Sequence, residues 1–177
     1  VPDNTRIIFI SHITSPTALI FPVKQICELA RANNIITIIE GAHAPGQIDL
    51  DLEEIGADFY VGNLHKWLCA PKGSAFLYAR PAVQNMIEPL IVSWGWRAEV
   101  PGTSQFIDYL EYTGTRDIAA YLSAPDAIKF LNDNNWDKVR LVSHKLAAAT
   151  RLHIQSITKI EPICPDSLGW FAQMGAM

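Results

Sequence analysis

The chain has 177 residues, of which 49% are hydrophobic and 18% charged, and its formal net charge is −4 at pH 7. This balance indicates a globular chain that can bury a core in one domain, and it excludes an intrinsically disordered class. The acidic charge without a Lys/Arg cluster argues against a nucleic-acid surface, and no apolar run reaches the ~18 residues of a membrane helix. The three cysteines form no CxxC pair. We therefore expect no structural zinc and a cytoplasmic, reducing environment.

The first half of the chain alternates apolar strands with helices. Residues 6–11 and 35–39 are β-branched apolar runs, typical of buried parallel strands. Between them, residues 22–33 have helical periodicity after an opening proline. Residues 51–56 have an N-cap acid and a terminal glycine, which predict one helical turn. The order predicts a βαβ unit with a right-handed crossover.

The middle of the chain predicts two further strands in the same sheet. Residues 58–63 form a short apolar run, and residues 73–78 form another that we expect to be antiparallel because the connection is short. Residues 81–86 predict a short helix and residues 89–93 a further strand. Residues 94–105 have no period and predict a loop.

The last part of the chain has helical periodicity. Residues 117–132 predict a helix that is kinked at Pro125, and residues 136–157 predict a longer helix. The longer helix carries an apolar stripe of Val139, Val142, Leu146, Ala149 and Ile157. The chain begins almost directly in a core strand and stops in the apolar run 169–174, which has no predicted partner. Complete domains usually have polar ends, so we expect a piece of a longer protein.

Polar side chains follow each of the first three strands. The segment 12–17 follows the first strand, Glu40 and His43 follow the second, and the segment 63–66, which includes Lys66, follows the third. Carboxyl ends of parallel strands meet at one edge of a sheet, where ligands bind. A lysine shielded from water can supply a free amine for Schiff-base chemistry, and a carboxylate beside a pyridinium nitrogen is what pyridoxal phosphate requires. The pattern predicts a pyridoxal-phosphate enzyme.

Four segments resemble the class V aminotransferase family. They are Ser11–Thr17, Glu40–Gly46, Gly62–Gly73 and Tyr112–Thr115, and the lysine segment 62–73 is the most specific. Within the family the chain is most similar to isopenicillin N epimerase-like proteins and more distantly to cysteine desulfurases. The resemblance runs over essentially the whole chain.

The resemblance implies the α/β fold of fold-type I pyridoxal-phosphate enzymes, a three-layer αβα domain with a mixed, mostly parallel sheet. Residues 1–135 would form the cofactor-binding large domain, incomplete at its N-terminus. Residues 136–177 would form a helix leading into an incomplete C-terminal small domain. The resemblance also implies pyridoxal 5′-phosphate as cofactor, an amino-acid substrate and a homodimer.

Three residues take the central roles that the resemblance implies. Lys66 would form the internal aldimine and carry a proton at the substrate α-carbon. Glu40 stands where the family has an aspartate that pairs with the pyridinium nitrogen, and its side chain is one methylene longer. His43 stands where the family has a polar partner for the phenolic oxygen of the cofactor.

Five further residues match cofactor-binding positions of the family. Ser15 and Thr17 match cofactor-facing turn positions, although many relatives carry asparagine in place of Ser15. Asn63 and His65 match positions on the phosphate side. Thr115 matches a residue that reaches the phosphate of the neighbouring subunit, which is why a homodimer is implied.

Two other functions remain open from the sequence. A metal-dependent hydrolase would use His12, Glu40, His43 and His65, although their spacing fits no zinc pattern and leaves Lys66 without a role. A non-catalytic binding or dimerisation module would keep the fold without the chemistry, and the replacement at Glu40 favours it. Outside the hydrolase reading, we expect His12 to be structural.

Overall fold

A four-stranded mixed sheet organises the computed structural model, which describes residues 2–177. The strands are β1 (Ile7–Ser11), β2 (Ile36–Glu40), β3 (Phe59–Asn63) and β4 (Ala75–Ala79), in the spatial order β1-β2-β3-β4. β1, β2 and β3 are parallel neighbours, and β4 pairs with β3 in the antiparallel direction. The four strands lie within two residues of their predicted bounds, and the predicted mixed, mostly parallel sheet is confirmed.

The helices begin and end largely where their capping residues predict. They are α1 (Val23–Ala32), α2 (Leu52–Ile55), α3 (Gln105–Leu110), α4 (Ala119–Leu122), α5 (Ala124–Asp133) and α6 (Trp136–Thr158), with a 3₁₀ helix at Pro81–Met86. In α2 the Asp51 carboxylate accepts the backbone N–H of Glu54 at 2.8 Å, and Gly56 ends the helix at φ 67°.

The two faces of the sheet bury different clusters. On one face Ile39 and Tyr60 pack with Val23 and Cys27 of α1 in the larger core cluster. On the other face Phe59 packs with residues from the end of β4 and the 3₁₀ helix, while Phe9 on the edge strand β1 stays 67% exposed. Helical cover is therefore more complete on the α1 face of the described chain.

A buried ionic network joins β2, β3 and the end of β4. The Asp58 carboxylate accepts the backbone N–H of Thr37 at 2.9 Å, the Thr37 hydroxyl at 3.1 Å and the guanidinium of Arg80 at 2.6 Å. Burial acts to raise the pKa of Asp58, but the hydrogen bonds from Arg80 and Thr37 outweigh it and lower the pKa. The network fixes the start of β3, the strand that leads to Lys66.

The strand predicted at 89–93 is wrong. The segment has no regular hydrogen-bonded structure, and its apolar side chains are exposed, Leu90 fully and Val92 at 62%. A short apolar run makes a strand only when a neighbouring strand takes up its backbone groups, and this segment pairs with no strand of the described chain. The predicted loop that follows ends in the short helix α3, which the sequence analysis did not predict.

Two helical predictions need correction. The helix at 117–132 is divided at Ser123, and Pro125 lies in the first turn of α5 rather than at a kink within one helix. The stripe predicted for α6 does not face the domain, since Val142 and Leu146 are 57% and 69% exposed. The face turned inward carries His144 and Arg151, which bind residues of the C-terminal segment.

The C-terminal apolar run, predicted to lack a partner, returns to the domain. Phe171 and Ala172 are buried, and the backbone N–H of Ile20 donates to the carbonyl of Trp170 at 2.9 Å. The backbone N–H groups of Gln173 and Met174 donate to the Gln47 side-chain carbonyl at 3.0 and 3.2 Å. This run therefore packs against the segment that follows β2.

Candidate active site

The carboxyl ends of the three parallel strands meet at one edge of the sheet. Ser11 of β1 is opposite Glu40 of β2, and Glu40 is opposite Val61 of β3. The segment carrying Lys66 begins two residues later, directly after Asn63. The strand ends that were predicted to meet are thus aligned by the register of the sheet.

The turn after β2 has its own internal support. The Glu40 carboxylate accepts the backbone N–H of Ala42 at 2.8 Å. Gly41 lies directly on the Tyr60 ring, where an added Cβ would come within 2.2 Å of the ring atoms. Only glycine allows this approach, so the turn of residues 40–43, the acidic turn, lies close to β3.

A second glycine brings the turn and the lysine segment together. Gly46 has φ +81°, and a Cβ at this position would lie 2.3 Å from the backbone carbonyl oxygen of Trp67. Any other residue would be strained and would push the two segments apart. The approach places His43 beside Lys66 and Trp67.

His43 is contacted at both ring nitrogens. Nε2 lies 3.2 Å from Nζ of Lys66, and Nδ1 accepts the indole N–H of Trp67 at 3.2 Å. Burial lowers the pKa of His43, the charge of Lys66 lowers it further, and the charge of Glu40 opposes both. The imidazole is therefore neutral at neutral pH.

Gln47 fixes the backbone of the same turn and was missed by the sequence analysis. Its side chain is fully buried, and its amide donates to the backbone carbonyl of His43 at 2.7 Å. A buried glutamine needs partners for both ends of its amide, but a sequence does not show where they lie. Trp67 was also missed, although an indole beside the lysine signals a donor that needs an acceptor.

His12 has the structural role that we expected. It is buried, and its Nδ1 lies 2.9 Å from the hydroxyl of Tyr60, with the two rings edge to face. Burial lowers the pKa of His12 to about 4 and raises the pKa of Tyr60, to which the charge of Glu40 adds. Both groups are neutral at pH 7, and the Tyr60 ring that His12 contacts packs directly against Gly41 of the acidic turn.

The turn after β1 and the end of β3 contribute the other predicted side chains. Ser15 is exposed, and the Thr17 hydroxyl is paired with that of Thr14 at 2.5 Å. Asn63 is half-buried at the end of β3. His65 is half-buried, and its Nδ1 is shielded from water without a hydrogen-bond partner within residues 2–177.

Thr115 lies in a different setting from the other predicted site residues. It is exposed, and its hydroxyl lies 3.2 Å from that of Tyr112, next to Gly114 at φ +116°. Within the described chain it makes no hydrogen bond to Glu40, His43 or Lys66.

The donor set at the sheet edge fits pyridoxal phosphate. A carboxylate, a neutral imidazole and a primary amine lie at this edge. They are suited, in that order, to the pyridine nitrogen, the phenolic oxygen and the aldehyde of the cofactor. The shielded Nδ1 of His65 has no protein partner in residues 2–177, as expected of a group that binds a ligand. A metal site has less support, because the described residues contain no group of three or more His, Cys, Asp or Glu side chains able to hold an ion.

Comparison with known proteins decides the family. The sequence profile of the Aminotransferase class-V family matches residues 1–168. The chain belongs to the class V aminotransferase family. Members of this family depend on pyridoxal phosphate, so the cofactor expected from the sequence is confirmed at the family level.

The curated relatives of this class V aminotransferase-family chain include epimerases and desulfhydrases. It is 38% identical to isopenicillin N epimerase of Amycolatopsis lactamdurans, covering 98% of this chain and 46% of the relative. It is 44% identical to isopenicillin N epimerase of Streptomyces clavuligerus, covering 93% and 44%. L-cysteine desulfhydrase of Arabidopsis thaliana is 33% identical, covering 73% and 28%.

Solved structures confirm the predicted fold. The apo cysteine desulfurase of Thermococcus onnurineus NA1 superimposes with a TM-score of 0.79 at 17% identity, covering 97% of this chain and 43% of that one. The shared architecture is that of the fold-type I enzymes. The chain spans less than half the length of the two epimerases. None of the helices within residues 2–177 has the length and apolar character required to cross a membrane.

Proposed function

We propose that the intact protein acts at the α-carbon of an amino acid, with pyridoxal phosphate bonded covalently to Lys66. The observation that supports this most directly is the 3.2 Å contact between Nζ of Lys66 and Nε2 of His43 at the edge that also carries Glu40. When bound, the cofactor supplies an electron sink for the carbanion formed at the α-carbon.

Each residue of this edge has a task that follows from its chemistry. Lys66, once its amine is released by the substrate, moves a proton at the α-carbon. The Glu40 carboxylate holds positive charge at the ring nitrogen, and His43 donates toward the phenolic oxygen. The remaining cofactor contacts are assigned to the phosphate side and the first turn, through Asn63, His65, Ser15 and Thr17.

The relatives favour epimerisation as the reaction. Transamination, epimerisation and β-elimination share the loss of a bond at the α-carbon and differ in which atom is then protonated or leaves. Two relatives that each match more than 90% of the chain are named isopenicillin N epimerase. An epimerase needs a proton carrier on each face of the substrate, and Lys66 is our candidate for one of them.

The assembly and location follow from the same proposal. Thr115 is exposed on its own subunit and is proposed to reach the phosphate held by a second subunit, which makes a homodimer. Residues 1–135 form the cofactor-binding part, and residues 136–177 lead toward a small domain. Cys27, Cys69 and Cys164 are free thiols, which supports a reducing, cytoplasmic location.

The covalent link to Lys66 gives the direct test. In the intact protein, Lys66→Ala should abolish the visible absorption band and leave no cofactor on the peptide of residues 62–73 after borohydride reduction and mass spectrometry. Lys72→Ala is the matched control, because Lys72 is exposed on the same segment and should leave labelling unchanged. Cofactor still bonded to the peptide in Lys66→Ala would refute the assignment.

The two other functions predict different outcomes in this experiment. A metal-dependent hydrolase would show a bound metal and no cofactor label. The structure favours it less, because Nδ1 of His12 contacts Tyr60 and the two ring nitrogens of His43 contact Trp67 and Lys66. A non-catalytic module would show neither a label nor a metal. The labelled peptide at Lys66 separates the proposed enzyme from both.

A further inference from the structure

Trp67 contacts the site but has no role in the chemistry proposed above. Its side chain is half-buried, and its indole N–H donates to Nδ1 of His43 at 3.2 Å. The opposite ring nitrogen, Nε2, lies 3.2 Å from Nζ of Lys66. Two consecutive residues thus contact the two nitrogens of one imidazole.

These contacts determine where the proton of His43 lies. An indole N–H can only donate, so Nδ1 of His43 must offer its lone pair. A neutral imidazole carries a single ring proton, which must then be on Nε2. The other tautomer would point an N–H of His43 at the N–H of Trp67.

The surroundings keep both the charge and the orientation of the ring fixed. Burial and the nearby charge of Lys66 lower the pKa of His43, and the charge of Glu40 raises it. Gln47, fully buried, donates to the His43 backbone carbonyl at 2.7 Å. The ring is neutral and its backbone is held. A charged Lys66 amine can only donate and would compete for the lone pair of Nε2, so the indole contact decides between the tautomers when that amine is absent.

We propose that Trp67 is a positioning residue that fixes His43 in the tautomer with its proton on Nε2. This N–H is then free to donate to an oxygen acceptor bound beside Lys66, once the Lys66 amine no longer donates to Nε2. A donor set in advance requires no rearrangement of the ring during the reaction. The catalytic meaning rests on the proposed function, but the tautomer set by the indole can be observed without cofactor in Lys66→Met, which removes the competing amine.

The first test measures the tautomer without any substitution at Trp67. In the intact, cofactor-free Lys66→Met protein labelled with ¹⁵N-histidine, the His43 signals are assigned by their loss when His43→Gln is added. We expect a pyridine-type resonance for Nδ1 and a pyrrole-type resonance for Nε2. Protonation of Nδ1, or an even mixture of tautomers, would overturn the proposal.

The second test removes the indole donor and keeps an aromatic ring. When Trp67→Phe is added to Lys66→Met, we expect the tautomer ratio of His43 to change by at least about fivefold toward protonated Nδ1, the equivalent of one ordinary hydrogen bond. The pKa of His43 should rise, because protonation of Nδ1 no longer breaks a contact. Trp94→Phe is the matched control, since Trp94 is 85% exposed.

The outcomes separate this proposal from the proposed function. An unchanged ratio in folded Trp67→Phe would overturn the role of Trp67 even if Lys66 carries the cofactor. If Trp67→Phe does not fold, the spectrum of the Lys66→Met protein with Trp67 intact decides. In the loaded enzyme, Trp67→Phe should lower kcat while the covalent label at Lys66 remains.

Discussion

Glu40 shows how one side chain accommodates a change in length at the site. The resemblance places an aspartate at this position, and glutamate adds one methylene. The structure bends the longer side chain back onto its own turn, where its carboxylate accepts the backbone N–H of Ala42 at 2.8 Å. This hydrogen bond holds the carboxylate near the sheet edge. A glutamate side chain without it would lose more conformational entropy on binding a ring nitrogen.

Substitutions at Glu40 test whether this charge serves the cofactor ring. We expect Glu40→Asp to preserve or raise kcat/KM, because the shorter side chain keeps the negative charge. Glu40→Ala should lower kcat/KM by about 10²-fold or more, since a charged group that stabilises the reacting ring is lost. Glu53→Ala, an exposed acid on α2, is the control. Equal turnover in the Asp, Ala and unsubstituted forms would show that the carboxylate does not pair with the ring.

The elements place these side chains through contacts that lie far apart in the sequence. The acidic turn is supported from below by the Tyr60 ring and meets the lysine segment at Gly46. β3 itself is fixed by Asp58, which binds β2 through Thr37 and the end of β4 through Arg80. The Asp58 network therefore determines the position of the strand that presents Lys66.

Loss of the Asp58 carboxylate should destabilise the fold and reduce cofactor capture. Asp58→Ala leaves the Arg80 guanidinium and two Thr37 donors without their acceptor, and we expect a loss of about 3 kcal/mol in the free energy of unfolding. Denaturant unfolding of the intact protein measures it. Asp133→Ala is the control, because the exposed Lys129–Asp133 pair should contribute less than about 1 kcal/mol. A similar effect of both substitutions would contradict the structural role of Asp58.

The same network predicts the direction of the pH dependence. The pKa of Asp58 is lower in the folded state than its ordinary value, so the unfolded chain binds the proton more tightly. The stabilisation is complete above the ordinary aspartate pKa and is lost as the pH falls through the lowered value. The acid-induced loss of stability should be smaller in Asp58→Asn than in the unsubstituted protein.

The surface of the described chain carries many exposed apolar side chains. They include Phe9 on the edge strand, Leu90 before α3 and Leu146 on α6. Thr115 is also exposed, with its hydroxyl beside that of Tyr112. Exposed apolar residues of this kind are typical of interaction surfaces, which is consistent with the proposed homodimer.

Mixed dimers test whether the site is shared between subunits. Lys66→Ala and Thr115→Glu should each inactivate the intact homodimer, the second by repelling the phosphate. Mixing the two should restore activity, because one site then has Lys66 from one subunit and Thr115 from its partner. Lys66→Ala mixed with Glu40→Ala should remain inactive, since both residues belong to the same subunit's site. No recovery in the first mixture would contradict the shared site.

The sequence by itself determined the parallel strands, the order of the strand ends and the family. Continuous β-branched runs fix strand type locally, and the segment Gly62–Gly73 is specific enough to indicate the chemistry of Lys66. The sequence did not determine the partners of Trp67 or Gln47, because both pair with residues of the acidic turn or the C-terminal segment.

Only the tertiary structure decided which surfaces are buried. The run at 89–93 resembles a strand but finds no pairing strand among the described residues, and the apolar stripe of α6 faces outward while His144 and Arg151 face inward. Periodicity identifies a helix and its apolar side, but the burial of that side depends on which other element packs against it. The tautomer proposed for His43 has the same origin, since the hydrogen bond from Trp67 joins residues 24 positions apart in the chain.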